Sequence, residues 1–136
     1  MRFKYLPHTA DIKFKAFGKN LEETFANCVY ALQDSLVKGK VKEKIKKKIE
    51  VSGSDLESLL YNFLEEFLFL FDSEQFLVSK VKEIKIDKKK FKLKAKVVGD
   101  SAENYEIKTH IKAMTYSELK IKKVKGKFEI VVVLDV

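Results

Sequence analysis

Apolar and polar residues alternate with a period of two near both ends of the chain, and repeat at helical spacing in two stretches between them. Phe3 and Tyr5 alternate with Arg2 and Lys4, which predicts a short strand ending at Pro7. Ile12, Phe14 and Ala16 alternate with Lys13 and Lys15 and predict a second strand, ended by Gly18. Asn20, with Glu23 three residues on, has the form of a capping box. The helix it opens, from about Leu21 to Val37, sets Leu21, Phe25, Cys28, Val29, Leu32 and Leu36 on one face, and Gly39 closes it. Ser54 and Glu57 repeat the capping pattern ahead of a second helix, about Asp55 to Phe71. Its wide apolar face of Leu56, Leu59, Leu60, Phe63, Leu64, Phe67 and Leu68 makes it the main hydrophobic helix of the core.

Between the helices, the lysine-dense stretch from Lys40 to Lys48 resembles a basic tail. Ile45, Ile49 and Val51 nonetheless recur in strand phase, which predicts a strand whose lysines guard a sheet edge. After the second helix the period is two. Phe76 to Ile86 reads as a strand with a phase slip between Val81 and Ile84, the mark of a bulge. Asp87–Lys90 is the turn, and Phe91, Leu93, Ala95 and Val97 answer on the returning strand. Gly99–Ser101 is expected to begin a loop. Tyr105, Ile107, Thr109, Ile111 and Ala113 predict a further strand, Tyr116–Val124 another, and Lys125–Lys127 a turn into a last strand that runs to Val136. The expected fold class is α+β: two helices packed on one face of a largely antiparallel multi-stranded sheet, a two-layer sandwich. The whole of 1–136 is expected to form a single domain.

Composition adds limits. Five glycines and one proline argue against linkers or repeats, and one cysteine cannot form an internal disulfide, which suits a reducing cytoplasm. Cys28 falls on the apolar helix stripe, where a buried, inert thiol is expected. No signal peptide opens the chain, and the apolar run at Phe67–Phe71 is far too short to span a bilayer. A net charge of +8 fits a lysine-rich protein of a hot environment and equally a surface that attracts nucleic acid or an acidic partner. One cysteine and two separated histidines exclude a structural zinc site. Neither phosphate-loop pattern is present, and there is no nucleophile elbow.

Two places carry candidate chemistry. Pro7–Asp11 packs the only proline, one of two histidines and an acid between two strand-like runs. At the other end, Phe128–Leu134 has the composition of a buried strand, so Asp135 and the Val136 α-carboxylate are held close together. If the second and last strands are neighbours, Asp11, Asp135 and Val136 form an oxygen-donor set for a hard divalent cation. The competing arrangement has Lys13 or Lys15, in phase with Asp11, neutralising the acids. His8 is read as a turn residue bonding the backbone, with general base as the alternative. His110, on a lysine-bearing face, is expected to be solvated.

The stretch His8-Thr9-Ala10-Asp11 resembles the opening motif of the archease family, as do Lys112-Ala113-Met114-Thr115-Tyr116 and the closing Leu134-Asp135-Val136. The three motifs keep the family's order and spacing over essentially the full chain. Ser117 departs from the family, which commonly has histidine after the Thr-Tyr pair, so no role of that histidine transfers. The resemblance implies a protein cofactor, not an enzyme: an accessory activator of the GTP- and manganese-dependent RNA ligase of the RtcB type, promoting its guanylylation and multiple turnover in tRNA splicing. It also implies a divalent cation, typically calcium with magnesium or manganese as alternatives, held by Asp11, Asp135 and Val136. His8, Thr9, Lys112 and Tyr116 would lie around that site or at the ligase contact, with tRNA engaged indirectly. Two other classes stay open on the residues alone. One is a basic RNA-binding or general chaperone module without a catalytic metal role; the other is a metal-dependent hydrolase.

Overall fold

A computed structural model describes residues 2–8 and 11–136, so Thr9 and Ala10 of the opening motif lie outside the described residues. The elements run β1 (Phe3–Leu6), β2 (Ile12–Gly18), α1 (Leu21–Leu36), β3 (Ile45–Ser52), α2 (Leu56–Glu74), β4 (Phe76–Asp87), β5 (Lys92–Ser101), β6 (Ala113–Met114), β7 (Lys120–Val124) and β8 (Lys127–Asp135). All pairings among these strands are antiparallel. The α+β class is as expected. The strands divide between two sheets: β1-β2-β8-β6 with β7 also on β8, and β3-β5-β4.

Both helices pack against both sheets, and the side chains between them form one core. The predicted stripe of α1 is buried in full, and Leu59, Leu60, Phe63 and Leu64 of α2 are sealed from solvent. The rings of Phe25 and Phe63 stack across the two helices with centroids 6.3 Å apart. Cys28 lies within this core, and burial pushes its thiol pKa well above the usual range, which keeps it protonated and inert.

Cap chemistry sets the helix starts. Asn20 accepts from the Glu23 N–H at 2.8 Å, while Glu23 reaches back to the Lys19 N–H. At α2 the box sits one residue later than the sequence pattern suggested. Asp55 accepts from the Ser58 N–H at 2.7 Å, and Ser58 Oγ accepts from the Asp55 N–H at 3.1 Å. A carboxylate is the stronger acceptor for an N-terminal amide, so Asp55 takes the cap in preference to Ser54. Gln75, in the left-handed region at φ 53°, ends α2 three residues beyond the expected Phe71.

The lysine-faced β3 is an edge strand, as its pattern implied. β4 shifts register between Val78 and Lys80 and again between Val81 and Glu83, the second beside the expected slip. Two other expectations fail. Gly99–Ser101 continues β5 instead of starting a loop. The alternating Tyr105–Ala113 stretch is strand only at its end, β6. Its backbone is tied instead to the end of α1, with the Lys108 N–H donating to Leu36 at 2.8 Å and the Lys38 N–H to Glu106 at 3.0 Å. Tyr105 anchors it further, donating to Asp100 and accepting from the Lys42 N–H, both at 2.8 Å. Alternation there reflects packing against a helix end, where no strand edge is on offer.

Candidate cation site at the end of the central strand

Three strands pair with β8, and its last residues define the site. Ile12 is opposite Leu134, and Ala113 is opposite Asp135. Asp11 precedes the Ile12–Leu134 pair, where the pairing ends, and Asp135 follows it, so one further step of the register would set the two acids opposite each other. Ile130, Val132 and Leu134 point into the core, which puts Val131, Val133 and Asp135 on the opposite face. Lys13 and Lys15 are paired with Val133 and Val131 on that same face, and Asp11 is in phase with them. Strand pairing thus brings the chain segments that carry Asp11 and Asp135, 124 residues apart, to the same end of the sheet.

The Lys112–Tyr116 motif braces this end. The Lys112 N–H donates to the Asp135 carbonyl at 2.8 Å, and Thr115 Oγ1 donates to the Val133 carbonyl at 3.1 Å. Tyr61 of α2 stacks on the exposed Tyr116 ring at 4.2 Å, 5° from parallel, and Glu65 accepts the Met114 N–H. Ser117 donates its N–H to Thr115 Oγ1 at 3.1 Å, so its main chain, bonded to the threonine side chain, closes the turn. His110 is exposed, as expected.

Glu118 enters the site from the turn between β6 and β7. It stands at φ 56° after the Thr115 turn, and its carboxylate meets Lys13 Nζ at 2.8 Å and His8 Nε2 at 3.2 Å. The Lys13 ammonium, and then His8, hold the Glu118 carboxyl below the usual carboxylate range. Beyond the turn role expected of it, His8 faces acidic side chains. It sits between two carboxylates, with Nδ1 3.8 Å from Asp11 Oδ2. A glutamate in an irregular turn carries no periodic signal; only the surplus of strand-phase lysines on β2 hinted that a counter-charge was needed.

Lys13 is thus engaged by Glu118. Among the described residues no lysine lies within ion-pair distance of Asp11 or Asp135, and the His8 imidazole is the nitrogen group nearest Asp11. Also among the described residues, no three His, Cys, Asp or Glu side chains converge as metal ligands. The oxygen set expected here has two such side chains, its third member being the Val136 carboxylate. Asp11, Asp135 and Val136 are all partly buried, and Val136 packs against the core.

Residues 3–136 match the model of the Archease protein family (MTH1598/TM1083). The chain belongs to the archease family. It is 46% identical over 127 residues to protein archease of Pyrococcus abyssi, covering 90% of this chain and 89% of that one. It is 38% identical over 138 residues to protein archease of Sulfolobus acidocaldarius, covering 99% of each. The solution structure of Methanobacterium thermoautotrophicum protein 1598 superposes with a TM-score of 0.85 at 33% identity, over 98% of both chains. A crystal structure from Thermotoga maritima, described as an archease, possible chaperone, shares the fold with a TM-score of 0.63 at 23% identity, over 100% of this chain and 98% of that one. No helix among the described residues is long and apolar enough to cross a membrane.

Proposed function

We propose that this archease is a protein cofactor of a GTP- and manganese-dependent RtcB-type tRNA-splicing ligase, and that it promotes ligase guanylylation and repeated turnover. In this reading it has no catalytic residues of its own, works in the cytoplasm, and holds a divalent cation, calcium by preference, on Asp11, Asp135 and the Val136 carboxylate. The observation that supports the reading is the β2–β8 register, whose last pair, Ile12–Leu134, is flanked by Asp11 on one strand and Asp135 on the other. Family membership over residues 3–136 supports it.

A bound divalent ion would supply positive charge against phosphate oxygens during nucleotide transfer. The chain's own residues supply position. Asp135 is held by main-chain bonding on the β6 side of β8, and Glu118 engages Lys13. His8, Lys112 and the exposed Tyr116 ring surround that end and offer contacts to the ligase, while Thr9 falls within the same motif.

The test is guanylylation of the cognate ligase with and without this protein, repeated after chelation and with Asp11→Asn and Asp135→Asn. Stimulation is expected to vanish in both variants while circular dichroism stays unchanged. Full stimulation by either folded variant would reject the assignment of these acids.

A further inference from the structure

Charge in this chain is segregated by element. α1 and α2 together carry eight acids and no lysine, arginine or histidine. Every one of the 28 basic residues therefore lies in strands and loops, against twelve remaining acids. The three strands of the smaller sheet hold nine lysines and four acids, one of them the buried Asp100. A surface that merely needed solubility would mix both signs over all faces.

That sheet carries an open groove of about 570 Å³ whose charged lining is entirely lysine: Lys46, Lys47, Lys48, Lys82 and Lys96, with two valines of β5. Lys47 is committed to Glu74, Lys82 to Glu43 at 2.6 Å, and Lys96 to Glu83 at 3.4 Å. Lys46 and Lys48 have no carboxylate within ion-pair distance among the described residues. Lys48 also stands directly opposite Lys96 in the β3–β5 register. Like charges placed that way destabilise a sheet, and an anion laid between them removes the repulsion.

We propose that this groove binds the phosphate backbone of a base-paired nucleic acid, independently of the ligase role and on a different sheet from the acidic site. Charge complementarity selects a polyanion. The absence of any exposed aromatic on β3, β4 or β5 among the described residues selects its form. Single strands are held by stacking their bases on aromatic rings, whereas a duplex turns its phosphates outward and needs only cations. Binding is accordingly expected to ignore sequence and to fall steeply with salt.

The experiment measures fluorescence anisotropy of a short labelled RNA duplex with the full chain over a salt series. The variants are K46A/K48A/K96A and, as a control of equal charge loss, K88A/K89A/K90A at the exposed β4–β5 turn. The groove variant should lose at least about tenfold in affinity at low salt, and its salt slope should fall by about two to three, the loss expected for three phosphate contacts. The turn variant should bind as the parent does. Absence of binding at low salt, equal losses in both variants, tighter binding of a single strand than of the duplex, or equal competition by polyglutamate would each overturn the proposal. Thermal melting confirms folding; losing the Lys48–Lys96 opposition keeps the groove variant at least as stable as its lost Glu83 contact allows.

Discussion

Asp135→Asn separates an acid pair built for a cation from an acid pair held by its own protein. Residues directly opposite on antiparallel strands have Cβ atoms about 4.5–5.5 Å apart. With Asp11 and Asp135 opposite each other one step of the register beyond Ile12–Leu134, two unit negative charges would sit about 5 Å from each other. They repel by about 3 kcal/mol at an effective dielectric of about 20, and by under about 1 kcal/mol in bulk water. Asp11 is 32% exposed, so the weaker limit governs and about 1 kcal/mol is the working figure. Asparagine keeps the shape and removes the charge. In chelator, Asp135→Asn should therefore be more stable than the parent by about 1 kcal/mol, a rise of about 3–5 °C in Tm for a domain of this size.

Adding the ion should reverse the order. A ligand that binds only the folded state adds about 2.7 kcal/mol at a hundred times its Kd. The parent gains this and the variant, with one donor gone, does not. Scanning calorimetry in chelator and then in millimolar calcium, magnesium or manganese reads both halves. A variant that melts below the parent in chelator refutes the reasoning, because Asp135 would then be stabilised by a positive group of the protein. Equal gains by both proteins on adding the ion refute it too, by placing the ion elsewhere.

The packing and the titrations give two further expectations. A Cβ added at Gly99 would lie 1.9 Å from the Leu77 carbonyl oxygen and 2.8 Å from the Phe76 ring, so Gly99→Ala should part β4 from β5 and cost about 3 kcal/mol in urea unfolding; a cost below about 1 kcal/mol would show that the strands shift freely. Burial, and then its hydrogen bond to Asp34, raises the Tyr5 hydroxyl pKa from 10.0 to about 12. A folded-state value above the unfolded one gives stability that is complete below pH 10 and lost as pH rises toward 12. The stability of the parent relative to Tyr5→Phe should therefore be constant to about pH 9.5 and shrink above it, and a flat difference through that window refutes the assignment.

Periodicity made the helices and most strands legible because a single physical demand, one apolar face, decided each of them. Leu59, Leu60 and Phe63 could face nowhere but inward, and the β8 run from Phe128 to Leu134 could only be a central strand. Tyr105–Ala113 misled because its main chain, at Glu106 and Lys108, bonds the end of α1, and main-chain ties of that kind leave no mark on the side-chain pattern. Ser54 misled because two acceptors stood side by side and the charged one prevailed. At the proposed site, Asp11, Asp135 and Val136 stood out as residues, since an acid at the end of a buried strand is costly unless something is done with it. Glu118 was not, because turn residues placed by backbone conformation leave no repeat to find.

Position in the sheet explains why this end of the molecule suits an ion. β8 alone pairs with β2, β6 and β7, so its backbone is the most constrained in the larger sheet. Donors on such a strand are held without ordering entropy at the moment of binding. The lysine groove has the opposite character. It lies on the three-stranded sheet, whose outer strands are edges, and its long side chains keep their freedom until a polyanion arrives. A rigid pair of acids discriminates among small ions by geometry, and a flexible row of lysines accepts any regular row of phosphates. Lysines also occur on β1, β2, β7 and β8 of the larger sheet, so what sets the proposed groove apart is the grouping of Lys46, Lys48 and Lys96 on adjoining strands.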